Sequence, residues 1–220
     1  MSLTRLPLHA ELAEARAALV RLASLVKQAI ADAAQALQRL DAAAARDVVA
    51  RDREIDAERT RLEREYLRLI ALQQPLARDL RAIGAALRIL VDLERIADHA
   101  SDVARVACAI ENTILPVPLT RIMHMATMAH EMVARAIDAF VREDAVAATE
   151  VAAHDEDVDA MFAAVFSELV ARMQARPDAV PVCARLLLVA GHLERIADHA
   201  TNLMESVVYA ETGVRPELNA

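Results

Sequence analysis

Four acid pairs recur along this chain at a spacing of four: Asp52/Asp56, Glu94/Asp98, Asp155/Asp159 and Glu194/Asp198. Residues i and i+4 share one face of a helix, so each pair sets two carboxylates side by side, at a repulsive cost of about 0.2–0.5 kcal/mol. Asp102 extends the Glu94/Asp98 line by one turn, whereas Asn202 stands where the second line would continue. If two such helices are neighbours, four carboxylates meet in one patch. A divalent cation relieves that repulsion, and an all-oxygen set suits hard ions such as Mg²⁺, Ca²⁺, Mn²⁺ or iron. The spacing leaves a second reading open. Arg95, Arg59 and Arg195 each lie three residues from an acid (Asp98, Asp56 and Asp198), so ordinary surface ion pairs would account for each acid singly.

Other chemistry-bearing residues give weaker patterns. His99 and His199 lie five positions after the motif glutamates. That spacing turns them ~140° away, unlike the inward Glu-x-x-His of di-iron bundles. They read as flanking or partner-contact residues or as outer ligands, with His192 unrelated to the acid patches and His154 a weak supporting candidate. Met123, Met125, Met128 and Met132, with His124 and His130, read as packing or a plastic surface rather than as a copper site. The three glycines, Gly84, Gly191 and Gly213, are too scattered for a phosphate-cradling loop. No local Ser/His/Asp or Cys/His grouping suggests a nucleophile. Cys108 and Cys183 lack CxxC spacing and read as buried thiols of a reducing compartment.

The elements that must position the acids follow from punctuation and repetition. Breaks at Leu40-Asp41, Gln74-Pro75, Leu115 to Pro118, Glu143-Asp144 and Arg176 to Asp178 divide the chain into six helices. These span about 8–40, 42–73, 76–114, 118–142, 145–175 and 180–210. Asp41 and Asp144 suit N-caps, and Pro75 suits a first helical position. The octapeptide Leu-Glu-Arg-Ile-Ala-Asp-His-Ala occurs at 93–100 and again at 193–200. A weaker match pairs Leu37 with Phe140, Asp41 with Asp144, Asp52 with Asp155, Ile55 with Val158, Asp56 with Asp159 and Leu62 with Val165. The chain is therefore a duplicated three-helix unit.

Ile89, Leu93, Ile96, Ala100, Val103, Ala107 and Ile110 form a 4-3-4-3 core seam, matched by Val189, Leu193, Ile196, Ala200, Leu203, Val207 and Ala210. Glu94 and Asp98 lie ~130° to ~170° from that seam, facing outward or into a surface groove. The expected fold is all-α, two tandem antiparallel three-helix bundles at 8–114 and 116–210, with 211–220 a frayed tail.

Composition agrees and excludes. Of the 220 residues, 56% are apolar and only 2% aromatic, with three Gly, which favours helices packed through small side chains over sheets. A net charge of −8 argues against nucleic-acid binding, which needs a basic face or stacking aromatics. The N-terminal stretch lacks the layout of a secretion signal. The most apolar run, Leu186 to Gly191, falls far short of the roughly 20 residues that span a bilayer. A cytoplasmic protein is expected, reaching a membrane only through partners.

The segments Glu94-Arg-Ile-Ala-Asp98 and Glu194-Arg-Ile-Ala-Asp198, with Gln74-Pro75-Leu-Ala-Arg-Asp79-Leu80-Arg81 and the acid pairs on the second helix of each unit, resemble the PhoU family over roughly residues 8 to 210. The resemblance implies a non-enzymatic, often dimeric cytoplasmic regulator of phosphate uptake. It implies negative modulation of the Pst phosphate ABC transporter, through contacts with its ATPase and with a PhoR-type sensor histidine kinase. It further implies multinuclear metal clusters, iron or zinc in some members, held by Asp52, Asp56, Glu94 and Asp98, with Asp102, in one unit. Asp155, Asp159, Glu194 and Asp198, with Asn202, would hold the other. The sequence departs from the family pattern at Asn202 and at Ala97 and Ala197, which replace a usual glycine at a position read as exposed to flanking. Two alternatives remain: a carboxylate-bridged metalloenzyme, and a purely structural helical adaptor.

Overall fold

The structure is a computed structural model and describes residues 6–218 apart from Asn112. Six α-helices account for most of the described residues: α1 (Leu6–Arg39), α2 (Ala42–Gln73), α3 (Arg78–Ala109), α4 (Thr120–Arg142), α5 (Ala148–Ala175) and α6 (Val180–Thr212). No strand occurs among the described residues. None of the helices is long and apolar enough to cross a membrane.

Local chemistry sets most of the boundaries. Asp41 caps α2, accepting hydrogen bonds from the amides of Ala43 and Ala44 at 3.0 Å each. Asp144 does the same for Val146 and Ala147, but over a 3₁₀ turn, Ala145–Ala147, that leads into α5. Pro75 does not open α3, as its residue type suggests. Gln74 and Ala77 both adopt φ of 46°, and the chain reverses over the segment between α2 and α3 with Pro75 buried inside the bend. The break falls where the sequence places it, but positive φ is uncommon outside glycine, so the residue types do not show its backbone form. The third helix also ends earlier than its apolar pattern suggests, at Ala109.

The buried side chains form one continuous apolar core, running from Ala15 in α1 to Val207 in α6. Ile89, Leu93, Ile96, Ala100, Val103, Ala107 and Ile110 are all buried, as is the matching α6 seam as far as Val207. Met125 and Met132 are fully buried within that core, so the methionine stripe of α4 is packing material.

The central feature is the packing of α3 on α6. The Arg81 side chain reaches the Ala210 carbonyl, Asp92 meets His199, and His99 meets His192, so the two helices run antiparallel. The repeated octapeptides lie against each other, related by a local two-fold axis. Ala97 and Ala197 are 1% and 0% exposed. The reading of these positions as exposed to flanking is therefore corrected: both side chains are buried.

The C-terminal stretch is also better anchored than expected. Beyond Thr212, the Arg215 guanidinium and the Leu218 amide both donate to the buried Glu205 carboxylate, at 2.7 and 3.0 Å. The expectation of fraying fails over the described residues because a buried carboxylate must be paired, and the tail supplies its partners.

Candidate functional site

In each half the acid pairs come from two packed helices. Asp52 and Asp56 on α2 face Glu94 and Asp98 on α3; Asp155 and Asp159 on α5 face Glu194 and Asp198 on α6. The α2 and α5 acids flank Ile55 and Val158, both buried, which places each patch at the rim of a groove rather than inside the core. The electrostatics confirm the proximity within each half. Burial pushes Asp52 above the ordinary carboxylate range, with Asp56 and Asp98 adding to the rise and Ser101 and Arg105 opposing it. Asp98 is raised by burial and by Asp56 and Asp102, against Arg95 and Arg105.

The second patch is more strongly perturbed. Burial first, then Asp198, Asp159 and Glu194, push Asp155 up to about 6. Glu194 is raised by burial, Asp198 and Asp159; Asp198 is raised by burial and Asp159, with His199 and Arg195 in opposition.

The two patches differ because of two residue exchanges between the copies. In the first, Arg59 lies 3.1 Å from Glu94, and Arg105 pairs with Asp102 and approaches Asp52 at 3.8 Å. Arg59 thus crosses to the neighbouring helix and to Glu63 rather than pairing with Asp56 as the three-residue spacing suggests. The matching positions in the second copy are Phe162 and Glu205. The first patch carries internal arginine neutralisation; in the second, Arg195 opposes the rise of Glu194, while the charges named around Asp155 are all acidic among the described residues.

Asp102 and Asn202 do not continue the acid lines as equals. Asp102 turns toward Arg105 and toward His192, at 3.7 Å. Asn202 is half-buried and neutral. Among the described residues, the one group of three His, Cys, Asp or Glu side chains with ligand atoms all within 4.8 Å of one another is His99, Asp102 and His192. The carboxylates of each patch are neighbours held apart by like charge, not a closed cage.

The donor set of both patches nonetheless suits a hard cation. Among the described residues, Asp52 Oδ1 is buried with only the Ser101 hydroxyl as a nearby donor, and the two make no well-aligned hydrogen bond, which leaves oxygen lone pairs open at the α2–α3 groove. Asp155 gains most from a positive charge, since its ionised form is the costly one. No histidine stands three residues after Glu94 or Glu194; those positions are the buried Ala97 and Ala197.

Three features escaped the sequence. His192 meets His99 across the two-fold, with Nδ1 atoms 3.3 Å apart. Arg105 enters the first patch, and Glu205 is buried at the corresponding site of the second half. The last two were visible as an exchange of Arg for Glu in the repeat alignment. The first required knowing that the repeated segments touch.

Comparison with known proteins agrees with the geometry. The family model of the PhoU domain matches residues 19–107 and again 122–207, one match per half. A protein of Clostridium acetobutylicum named phosphate-specific transport system accessory protein PhoU homolog is 34% identical over 218 residues, covering 99% of this chain and 100% of its own length. The crystal structure of PhoU from Pseudomonas aeruginosa superposes with a TM-score of 0.90 at 36% identity, covering 94% of this chain and 99% of that one. That of the phosphate transport system regulatory protein PhoU from Streptococcus pneumoniae gives 0.90 at 28% identity, covering 96% and 99%. A duplicated helical triplet with paired acids on its second and third helices, matched along its full length to these relatives, makes this chain a member of the PhoU family.

Proposed function

We propose that this protein is a non-catalytic regulator of phosphate uptake that restrains a Pst-type phosphate transporter, and the linked sensor-kinase signal, by protein–protein contact. Family membership and the accessory or regulatory names of its relatives support the phosphate link. The observation that carries the mechanism is the pair of acid patches on the rims of α2–α3 and α5–α6, backed by a continuous aliphatic core. The partners in this reading are the transporter's ATPase subunit and a PhoR-type kinase on the cytoplasmic side, met by a homodimer.

Asp52, Asp56, Glu94 and Asp98 would hold a cation cluster in one half, and Asp155, Asp159, Glu194 and Asp198 in the other. Iron and zinc are the expected occupants by resemblance, with Mg²⁺ and Mn²⁺ also suited to oxygen ligands. When bound, such a cluster supplies positive charge with open coordination positions on an otherwise acidic face. The protein's own groups do the rest: the helices fix the carboxylates in pairs, and Arg59 and Arg105 limit the charge that the first patch presents.

The test compares the wild type with a chain carrying Asp155→Asn, Asp159→Asn and Asp198→Asn. Purified metal content, pull-down of the transporter ATPase with and without chelator, and repression of a phosphate-starvation reporter would be read in parallel. The proposal expects loss of metal, weaker ATPase capture and a derepressed reporter. Unchanged capture and repression by the triple variant would remove the second patch from the mechanism, and the same result with Asp52→Asn, Asp56→Asn and Asp98→Asn would remove the first. Full repression by a strain lacking the chain would remove the regulatory role itself.

A further inference from the structure

The two-fold axis between α3 and α6 makes two equivalent corners, and they have diverged. In one, Asp92 Oδ1 lies 3.0 Å from His199 Nδ1, and Asn202 occupies the third position of the corner. In the other, the counterpart of Asp92 is His192, that of His199 is His99, and that of Asn202 is Asp102. An acid–imidazole pair on one side has become two imidazoles and a carboxylate on the other.

The geometry of the second corner is that of a ligand set. His99 Nδ1 and His192 Nδ1 are 3.3 Å apart, and Asp102 Oδ2 is 3.7 Å from His192 Nδ1. A tetrahedral ion with bonds of about 2.0–2.1 Å to nitrogen separates two such donors by about 3.3 Å. Two ring nitrogens at this distance share either a proton or a metal.

Burial holds His99 down to about 4, with His192, His199 and Arg195 adding to the depression and Asp102 opposing it; burial also lowers His192, against Asp102. An imidazole ligates through a ring nitrogen that carries a lone pair, and the two Nδ1 atoms are the ones that face each other here. The ring of His199 packs 5.8 Å from that of His99 and helps to shield it from water. Arg105, which pairs with Asp102, is exposed.

We propose that His99, His192 and Asp102 form a site for one borderline divalent cation of the zinc class, with its fourth position open. Imidazole ligands favour this class over Mg²⁺ or Ca²⁺, which distinguishes the site from the all-oxygen patches. His99 and Asp102 belong to α3 and His192 to α6, so the ion would clamp the two halves of the chain together at their crossing.

The experiment uses the full-length chain stripped with chelator and titrated with Zn²⁺ against a chromogenic competitor. Co²⁺ is added in a parallel titration to read tetrahedral ligand-field absorption. His192→Asn and His99→Asn are the test variants, chosen to keep a polar partner across the interface. Asp155→Asn with Asp198→Asn is the control for the acid patch, and circular dichroism confirms that each variant is folded.

Beyond any ions held at the acid patches, the wild type should hold one further Zn²⁺ that excess Mg²⁺ does not displace, show the Co²⁺ band, and melt at a higher temperature when Zn²⁺ is present. Either histidine variant should bind that ion about 100-fold more weakly or worse and lose the band, while the patch control keeps both. Three results would overturn the proposal. These are wild-type Zn²⁺ binding in both histidine variants, loss of the tight site only in the patch control, and no Mg²⁺-resistant site in the wild type. Each would leave the two imidazoles joined by a hydrogen bond alone.

Discussion

Replacing Asp155 by Asn isolates the charge crowding of the second patch. Burial and three neighbouring acids bring the Asp155 carboxyl to about 6 from an ordinary 3.8. At 1.36 kcal/mol per pH unit, that difference corresponds to roughly 3 kcal/mol of penalty on the ionised form. Asp155 is only half-buried, and solvent screening reduces the figure to on the order of 1 kcal/mol. The sign follows from linkage. An acid whose folded pKa is raised costs stability when ionised, so the penalty is absent below 3.8, grows between 3.8 and about 6, and is complete above that. In chelator-treated protein near neutral pH, Asp155→Asn should therefore melt about 2–4 °C higher than the parent. The advantage should vanish in acid, below the ordinary carboxylate range. Saturating divalent cation should reverse the order, because a ligand at about 100 times its Kd stabilises the parent by about 2.7 kcal/mol that the variant largely forgoes. Differential scanning calorimetry across pH, with and without cation, reads all three arms. A metal-free variant that melts at or below the parent near neutral pH would refute the claim that these acids crowd one another.

Arg105→Ala should make the first patch behave more like the second, lowering metal-free stability by less than about 1 kcal/mol while increasing the melting shift produced by added cation; paired thermal melts check it. Ala97→Leu should destabilise by about 1–3 kcal/mol or more, since the Ala97 side chain is buried and a larger one must displace its neighbours, and denaturant unfolding measures the loss. Truncation after Val214 strips Glu205 of Arg215 and the Leu218 amide. It should cost about 3–5 kcal/mol, and far less when Glu205 is simultaneously replaced by Gln, as urea titration of the four chains would report. Asp41→Ala should cost about 1 kcal/mol by freeing the Ala43 and Ala44 amides, read in the same way.

The legibility of this chain depended on how local each feature is. Asp41 and Asp144 announce helix starts because capping is settled within a few residues. The 4-3-4-3 seams and the doubled octapeptide predicted buried faces that the structure buries, since helical periodicity survives any arrangement of the neighbours. The break at Gln74-Pro75 is legible, but its backbone form is not, because two non-glycine residues, Gln74 and Ala77, take positive φ there. For the acids, a helical wheel gives the direction of Glu94 and Asp98 but not what lies across the groove. The three-residue spacing puts Asp56 within reach of Arg59, yet Arg59 lies beside Glu94 on the next helix. Asp102 was placed in the acid line by its spacing, yet pairs with Arg105 and His192, the latter contributed by the other half of the chain.

The antiparallel crossing of α3 and α6 constrains how the halves can drift apart. Near a two-fold axis each side chain meets its own twin, as the rings of His99 and His199 do at 5.8 Å. A bulkier residue introduced there in one copy collides with an unchanged duplicate, so innovation is cheapest away from the dyad, among residues whose twins never touch. The swap of Arg105 for Glu205, and of Asp102 for Asn202, lies toward that permissive periphery, where one half can acquire a chemistry the other lacks.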